Sequence, residues 1–163
     1  MMLSRVLLLA SALWLATDAA AAKPERLGGR AEIIDGDTIR IDGTPQRIRL
    51  FGVDAPEFGQ ICTDAAGKRF LCGGRAAQAL ADLIGRNGRV VCRRVGRDRY
   101  ARIVAQCSIG RKNLSREMVR LGWAVDDPRY SRGRYARAEA AARKAKRGLW
   151  AGKFETPRDW RGH

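Results

Sequence analysis

Residues 35–57 read DGDTIRIDGTPQRIRLFGVDAPE, and their pattern is the clearest indication of the fold class. Within it, apolar residues alternate with polar ones at Ile39 and Ile41 and again at Ile48 and Leu50. Alternation with a period of two over such short runs is typical of β-strands that bury one face. The stretch therefore predicts two strands joined by a polar turn, with acidic residues in the loops on either side.

Further along the chain the same alternation returns at Val90 and Cys92, and then at Ile103, Ala105 and Cys107. These runs are again short, and each lies next to residues that favour turns. They predict two more strands in the second half of the chain.

Three other segments carry apolar residues at helical spacing. They are Ala76, Leu80, Leu83 and Ile84, then Leu114, Met118 and Leu121, then Tyr135, Ala138, Ala142, Ala145 and Leu149. The predicted order is strand, strand, strand, helix, strand, strand, helix, helix. This order suits an α+β fold, mainly β, in which three helices flank a small five-stranded barrel.

The N-terminus has the pattern of a secretory signal peptide over residues 1–22. Arg5 is followed by an apolar run from Val6 to Ala16 and then by small residues up to Ala22. The apolar run is shorter than the roughly 18 residues that a lasting anchor needs. We therefore expect an exported protein, periplasmic or extracellular, with no stable membrane anchor. The alternative is an N-terminal anchor that is retained.

Beyond the signal peptide we expect a flexible leader at 23–30, one folded domain at 31–150 and a C-terminal tail at 151–163. The leader is polar and contains glycine, and the tail has no clear periodicity. The remaining chain is long enough for one domain with a sizeable core and too short for two. Nothing in the sequence indicates an oligomer, so a monomer is expected.

The chain is strongly basic, with 32 Lys and Arg against 17 Asp and Glu and a net charge of +15. Such a surface attracts polyanions and gives salt-dependent, sequence-independent binding to phosphate backbones. The alternative is a solvated basic surface that aids solubility or contacts anionic lipid. Charge alone therefore names a class of partner and no reaction.

Four cysteines, Cys62, Cys72, Cys92 and Cys107, favour two disulfides over a metal cluster in an exported chain. Cys92 and Cys107 lie at equal distances on either side of the Arg99-Tyr100 turn. In an antiparallel hairpin they would face each other, so we predict that they are bonded. Cys62 is then left to pair with Cys72.

The only histidine is His163, the C-terminal residue. A histidine acid–base pair, a histidine metal site and a phosphohistidine intermediate therefore cannot be assembled from this chain. Any catalysis must use carboxylates, arginines and a metal.

Three short clusters carry residues suited to such chemistry. They are DGDT at 35–38, RLFGVDAPE at 49–57 and DRYAR at 98–102. Each has an ordinary structural explanation on its own. The first and third are typical of turns, and the second is compatible with a buried arginine that pairs with a neighbouring acid.

Taken together and in this order, the three clusters resemble those of the staphylococcal nuclease (thermonuclease) family. The similarity extends from about Glu32 to Trp150. It implies an OB-type barrel flanked by helices. It also implies a calcium-dependent endonuclease that hydrolyses phosphodiester bonds of DNA and RNA and leaves 3′-phosphate ends.

The resemblance also implies roles for individual residues. Asp37 and Asp54 match the two carboxylates that bind calcium in the family. Glu57 matches the proposed general base, and Arg49 and Arg102 match two arginines that bind the phosphate.

Other positions match less directly. Asp98, Tyr100 and Tyr130 are expected at the substrate, although the loop before Tyr130 is shorter than in the family. Asp35 falls on the first acid of the turn, which has no firm ligand role. Ala55 stands where the type member has Thr, and it is expected to offer its backbone carbonyl to the metal.

Two other functions remain open at this point. The first is a non-catalytic nucleic-acid-binding OB module, which would tolerate loss of the acidic residues. The second is a secreted cationic interaction or antimicrobial protein, which would explain the charge and none of the three clusters. The presence of all five side chains that match catalytic and metal-binding residues of the family favours the enzyme.

Overall fold

The structure is a computed structural model and describes residues 25–162; the predicted signal peptide at 1–22 lies outside the described residues. The strands of the described part are β1 Arg26–Ile33, β2 Thr38–Ile41, β3 Ile48–Leu50, β4 Val53–Asp54, β5 Ile61–Thr63, β6 Arg69–Leu71, β7 Arg89–Arg97, β8 Ile103–Ile109, β9 Lys112–Asn113 and β10 Val125–Asp126. The helices are α1 Cys72–Ile84, α2 Leu114–Leu121, α3 Pro128–Ser131, α4 Ala136–Lys144 and α5 Pro157–Trp160, with a 3₁₀ helix at Gly148–Ala151.

Five strands form a closed barrel. β1 pairs antiparallel with β2 and β7, β2 with β3, and β7 with β8. The barrel closes where β3 pairs with β8 in parallel, with Arg49 opposite Val104. Helix α1 is inserted between the third and fourth barrel strands, and α2 and α4 follow the fifth. The predicted five-stranded OB-type barrel with flanking helices is confirmed.

Residues that alternate in the sequence line the inside of the barrel. Ile39 and Ile41 of β2 and Ile48 and Leu50 of β3 are almost completely buried, and Leu80 of α1 packs into the same cluster. Each buried aliphatic side chain of this size contributes about 1.5–3 kcal/mol relative to exposure. The barrel strands thus hold the loops at their ends in fixed positions.

The prediction of a flexible leader at 23–30 is wrong for residues 26–30, because these residues form the first part of β1. Leu27 pairs with Cys92 and Gly29 with Val90. The sequence pattern does not indicate this part of the strand, because Gly28 and Gly29 break the alternation of apolar and polar residues. At Gly29 a side chain is excluded, since a Cβ would lie 2.8 Å from Cγ2 of Ile41.

The predicted third helix is shorter than its apolar stripe. Helix α4 ends at Lys144, and Leu149 lies in the separate 3₁₀ helix. The chain turns between them through Lys146 and Gly148, which have φ angles of 49° and 55°. A Cβ at Gly148 would lie 2.5 Å from the carbonyl oxygen of Gly122, so this turn packs directly on the end of α2.

The C-terminal tail packs on the domain over its described part. Lys153 forms a bridge with Thr63 of β5, and the Gln60 side chain donates a 2.8 Å hydrogen bond to the carbonyl of Glu155. Helix α5 begins after Thr156, whose hydroxyl accepts from the Asp159 amide. The tail therefore places its last described residues beside the β4–β5 loop.

Both predicted disulfides are confirmed. Cys92 lies opposite Cys107 in the β7–β8 hairpin, with Cα atoms 4.0 Å apart. Cys62 and Cys72 join β5 to the start of α1, with Cα atoms 5.6 Å apart.

As for membrane segments, none of the helices in residues 25–162 is both long and apolar enough to cross a bilayer.

Candidate active site

The DGDT turn delivers Asp37 to one end of the barrel. The Asp35 carboxylate accepts a 2.9 Å hydrogen bond from the Asp37 amide, which closes the turn just before β2. A side chain at Gly36 is excluded, because a Cβ would lie 2.7 Å from the Cβ atoms of both Ala55 and Ala76. The turn is thus pressed between the β4 loop and α1.

Asp37 is almost completely buried, with 1 % of its surface exposed. Its Oδ2 accepts a 2.7 Å hydrogen bond from the Ala55 amide, and its Oδ1 contacts the hydroxyl of Thr38 and the guanidinium of Arg49. Burial raises the pKa of this carboxyl from 3.8 to about 7, although attraction to Arg49 opposes the shift. Asp37 is therefore a desolvated acid held by three donors.

Arg49 joins the DGDT turn to the second cluster. From β3 its guanidinium contacts Asp37, and its Nη2 lies 2.7 Å from Oδ1 of Asp54 and 3.1 Å from the carbonyl of Val53. Burial lowers the pKa of Arg49, but the charges of Asp37 and Asp54 outweigh it and raise that pKa. Two buried carboxylates thus share one guanidinium.

Strand β4 orients Asp54. It follows Gly52, which has a φ of 74°, and pairs with β10 so that Asp54 lies opposite Val125. A Cβ at Gly52 would lie 2.9 Å from the Ser131 side chain. The sharp bend at this glycine lets the RLFGVDAPE segment turn its acids back towards Arg49.

Glu57 lies beside Asp54 and is more exposed than Asp37 and Asp54. Its carboxylate is bound by Arg161, a residue that the sequence did not indicate. Nη1 of Arg161 lies 2.6 Å from Oε1 of Glu57 and 3.1 Å from Oδ1 of Asp54. Nη2 of Arg161 lies 2.7 Å from Oδ2 of Asp54. Arg161 is 107 residues from Asp54 in the sequence, in a tail without periodicity, so no local pattern could have indicated this contact.

The DRYAR cluster forms the turn between β7 and β8. Oδ1 of Asp98 accepts hydrogen bonds from the amides of Tyr100 and Arg102, at 2.9 and 3.0 Å. Oδ2 of Asp98 accepts from Nε of Arg102 at 2.7 Å. Desolvation raises the pKa of Asp98, but the hydrogen bonds from Arg102 outweigh it, so the pKa is lowered. Both oxygens of Asp98 are thus used to shape the turn and to orient Arg102.

Two tyrosines stand exposed near the site, each with an arginine over its ring. Tyr100 is 68 % exposed, with the Arg102 guanidinium 5.6 Å from the ring centre. Tyr130 is 63 % exposed, with the Arg129 guanidinium 5.4 Å away. Arg129 is itself fixed by Asp127 at 2.7 Å. Exposed rings of this kind are free to stack on a flat ligand.

One cavity of about 1160 Å³ brings these groups together. The residues of interest that line it are Asp35, Asp37, Arg49, Glu57, Asp98, Tyr100, Arg102, Tyr130 and Arg161. Asp54 does not line the cavity, because Arg49 and Arg161 cover its carboxylate. The structure therefore gathers every residue singled out from the sequence around one opening, with Asp54 behind two guanidinium groups.

Oxygen donors for a metal ion are present at the Asp37 end of the cavity. Within the described chain no group of three or more His, Cys, Asp or Glu side chains is already arranged to hold a metal. The Asp37 and Asp54 carboxylates are buried and supply oxygen donors, which is the chemistry that calcium prefers. They fit calcium in chemistry, and calcium would compete there with the guanidinium groups of Arg49 and Arg161, which bind oxygens of these carboxylates.

The chain is similar to known proteins over most of its length. Residues 47–152 match the family model described as "Staphylococcal nuclease homologue". The chain is 39 % identical over 141 residues to "Succinoglycan biosynthesis protein ExoI" of Rhizobium meliloti, covering 86 % of this chain and 72 % of that protein.

Two further relatives carry nuclease names. An "Uncharacterized endonuclease" of Haemophilus influenzae is 31 % identical over 166 residues, covering 98 % of this chain and 87 % of that protein. "Probable staphylococcal-like nuclease CAN4" of Oryza sativa subsp. japonica is 34 % identical over 116 residues, covering 70 % of this chain and 21 % of that protein.

Proposed function

The chain belongs to the staphylococcal nuclease family, and we propose that it is an exported, calcium-dependent endonuclease that hydrolyses DNA and RNA to products with 3′-phosphate ends. The observation that carries the proposal is the bridge of Arg49 between Asp37 and Asp54. Arg49 and Asp37 line the same cavity as Glu57 and Arg102. Hydrolysis of a phosphodiester can use these acids and arginines, and the exposed aromatic rings of the cavity can contact bases.

Arg49 and Arg102 would bind the scissile phosphate. A phosphodiester is an anion that repels an attacking nucleophile, so its charge must be neutralised before water can approach. Guanidinium groups present paired donors that match phosphate oxygens and strengthen as charge builds in the transition state. Asp98 binds Arg102 through its Nε, and Arg102 lines the cavity, which suits this role.

Asp37 and Asp54 would hold calcium, with the backbone carbonyl of Ala55 as a further expected oxygen donor. Calcium in proteins takes six to eight oxygen ligands, including carbonyls and water. When bound, calcium would supply positive charge beside the phosphate and help to position and polarise the attacking water.

Glu57 would accept the proton of the attacking water. Its carboxylate is 41 % exposed at the cavity, so water can reach it, unlike the buried Asp37 and Asp54. A carboxylate in this position can act as a general base without also being needed as a buried metal ligand. The 5′ oxygen would be the leaving group, which gives the 3′-phosphate product.

Tyr100 and Tyr130 would contact the nucleotides next to the cut. Aromatic rings stack on any base, so they support binding that does not select sequence. The net charge of +15 supports the same conclusion, because phosphate backbones are bound through charge. We propose both DNA and RNA as substrates on this basis.

Export is supported by the two disulfides, since such bonds persist in oxidising compartments and are rare in the cytosol. The proposal places the protein in the periplasm or outside the cell. It also includes removal of the predicted signal peptide.

The test is cleavage of supercoiled plasmid and of RNA by the processed protein, in calcium and in EGTA. We expect both substrates to be cut in calcium and neither in EGTA. The 3′ ends should support extension by a polymerase only after phosphatase treatment. Two matched variants serve as test and control. Glu57→Gln in the cavity should lose activity, and Glu32→Gln on the outside of the barrel should keep it. Retardation of both nucleic acids without cutting would instead support the non-catalytic binding module.

A further inference from the structure

The outer face of β1 and β7 carries two pairs of arginines that face each other across the sheet. Arg26 lies opposite Arg93, and Arg30 lies opposite Arg89. All four residues are exposed. Like charges at directly opposite positions of an antiparallel pair destabilise it, and opposite charges would stabilise it. The sheet thus carries two unfavourable pairs in succession on one face.

These charges are not neutralised inside the protein. Arg93 donates a 2.7 Å hydrogen bond to the neutral side chain of Gln106, and Arg30 donates to the neutral side chain of Asn87 at 3.2 Å. Among the ion pairs of residues 25–162, none involves any of the four arginines. The four guanidinium groups therefore form a concentrated positive patch that is open to an external anion.

The patch is continuous with the catalytic cavity. Along β7 the exposed residues are Arg89, Val91, Arg93, Val95 and Arg97. The register of β7 with β8 shifts between Arg94 and Gly96, so Arg89, Val91 and Arg93 share the outer face, whereas Arg97 lies beyond the shift and pairs with the buried Ile103. Val95 and Arg97 line the cavity. The exposed residues of β7 thus lead from the outer face of the barrel to the cavity, over roughly 26 Å at about 3.3 Å per residue.

The valines give these exposed residues a second property. Val91 is 51 % exposed and Val95 is 47 % exposed, and Val91 lies opposite Gly28, which has no side chain. Open apolar spots therefore alternate with guanidinium groups. Unpaired bases can pack on such spots and on guanidinium planes, whereas a duplex presents its phosphates and keeps its bases stacked inside.

We propose that this face, defined by Arg26, Arg30, Arg89 and Arg93 and called the arginine face, binds a single nucleic-acid strand that continues from the cavity. The inference rests on the proposed function, because it takes the substrate of the cavity to be a polynucleotide. It adds that the enzyme contacts its substrate well beyond the bond that it cuts. Long single strands should accordingly be bound more tightly than short ones, and the gain should depend on the four arginines.

The test compares the double variant Arg89→Gln/Arg93→Gln with a control, Arg137→Gln/Lys144→Gln, which removes the same charge from exposed positions of α4. Binding of a 5′-labelled single-stranded 20-mer, of the same 20-mer as a duplex and of a trinucleotide is measured in EGTA over a series of salt concentrations. Because binding is measured without cutting, its result is independent of whether the protein is a calcium-dependent nuclease.

For the 20-mer we expect affinity to fall roughly 5-fold for each arginine removed, the usual value of one basic residue beside an anionic surface. The slope of log K against log salt should fall by about 0.7 per arginine. Trinucleotide binding and the control variant should be unchanged. The double variant should also be at least as stable to heat as the wild type, because it relieves two like-charge pairs.

Three results would overturn the inference. They are equal losses in the control variant, equal losses for the trinucleotide, and a loss seen with duplex but absent with the single strand. A lower melting temperature of the double variant would indicate a structural role for these arginines and would also contradict it. If the binding results are as expected but plasmid and RNA are not cleaved, the nuclease proposal is refuted and the inference about the arginine face is not.

Discussion

Arg161 binds both carboxylate oxygens of Asp54, with Nη1 3.1 Å from Oδ1 and Nη2 2.7 Å from Oδ2. The same Nη1 lies 2.6 Å from Glu57, so one guanidinium joins two acids of the site. Helix α5 and the contact of Gln60 with the Glu155 carbonyl hold the tail in this position. A cation from the chain thus already neutralises the oxygens that calcium would use.

We therefore expect Arg161→Gln to strengthen calcium binding. Two cations that compete for the same carboxylate are linked, and such linkage is typically worth about 5- to 150-fold in affinity. Calorimetry in the presence of a nucleotide bisphosphate measures the effect, with Arg158→Gln in the preceding helix α5 as the matched loss of charge. Calcium binding that is unchanged or weaker in Arg161→Gln would show that Arg161 does not compete with the metal.

Arg102→Lys should reduce turnover and leave stability almost unchanged. Lysine keeps the charge but loses the paired donors, and a transition-state donor of this kind is worth about 10²- to 10³-fold in rate. Among the described residues, Arg102 contacts only Asp98 and the exposed ring of Tyr100 within the same turn, so the melting temperature should hardly move. Single-turnover cleavage and thermal melts of the same preparations provide the two readings. Near wild-type turnover would contradict its role in binding phosphate.

Arg49→Lys should lose activity to a similar extent and should also lose stability. Its guanidinium lies between the buried carboxylates of Asp37 and Asp54, and a single ammonium group cannot reach both in the same way. Removing one partner of a buried, paired charge is strongly destabilising. A thermal melt in EGTA tests this directly. A melting temperature equal to that of Arg102→Lys would mean that the bridge contributes nothing to the fold.

Asp37 should make the calcium-free protein less stable as pH rises from about 4 to about 7. Its pKa in the folded protein is about 7 against an ordinary 3.8, so in this range the folded state holds a proton that the unfolded chain has lost. Stability falls with pH wherever the folded state binds more protons. Denaturant unfolding in EGTA should show Asp37→Asn gaining stability relative to the wild type across this range. A constant difference between the two proteins would mean that Asp37 stays ionised throughout.

Much of the fold and site could be predicted because the information is local. Ile39, Ile41, Ile48 and Leu50 alternate, and the resulting hairpin alone brings Thr38 opposite Arg49, which sets Asp37 beside the guanidinium. The disulfide partners followed from equal distances to one turn. Local pattern and tertiary structure agree at these positions.

The errors have physical causes that a local pattern does not contain. The first half of β1 lacks alternation, in part because the close approach of Ile41 requires a glycine at position 29. The stripe from Tyr135 to Leu149 continues past the end of α4, because the chain turns at Gly148 against α2. Arg161 reaches Asp54 only through the packing of the tail on β5.

Single-turnover cleavage of plasmid as a function of free calcium, for wild type and Glu57→Gln, tests whether the protein is a calcium-dependent nuclease with Glu57 as its base. We expect no cleavage without calcium and a saturable rise with it. Glu57→Gln should reach a plateau about 10²- to 10⁴-fold lower, the usual value of a general base. Its calcium midpoint should be no weaker than that of the wild type, because Arg161 loses one of its two acids. Cleavage that persists in EGTA would rule out calcium dependence, and an equal plateau in Glu57→Gln would rule out Glu57 as the base.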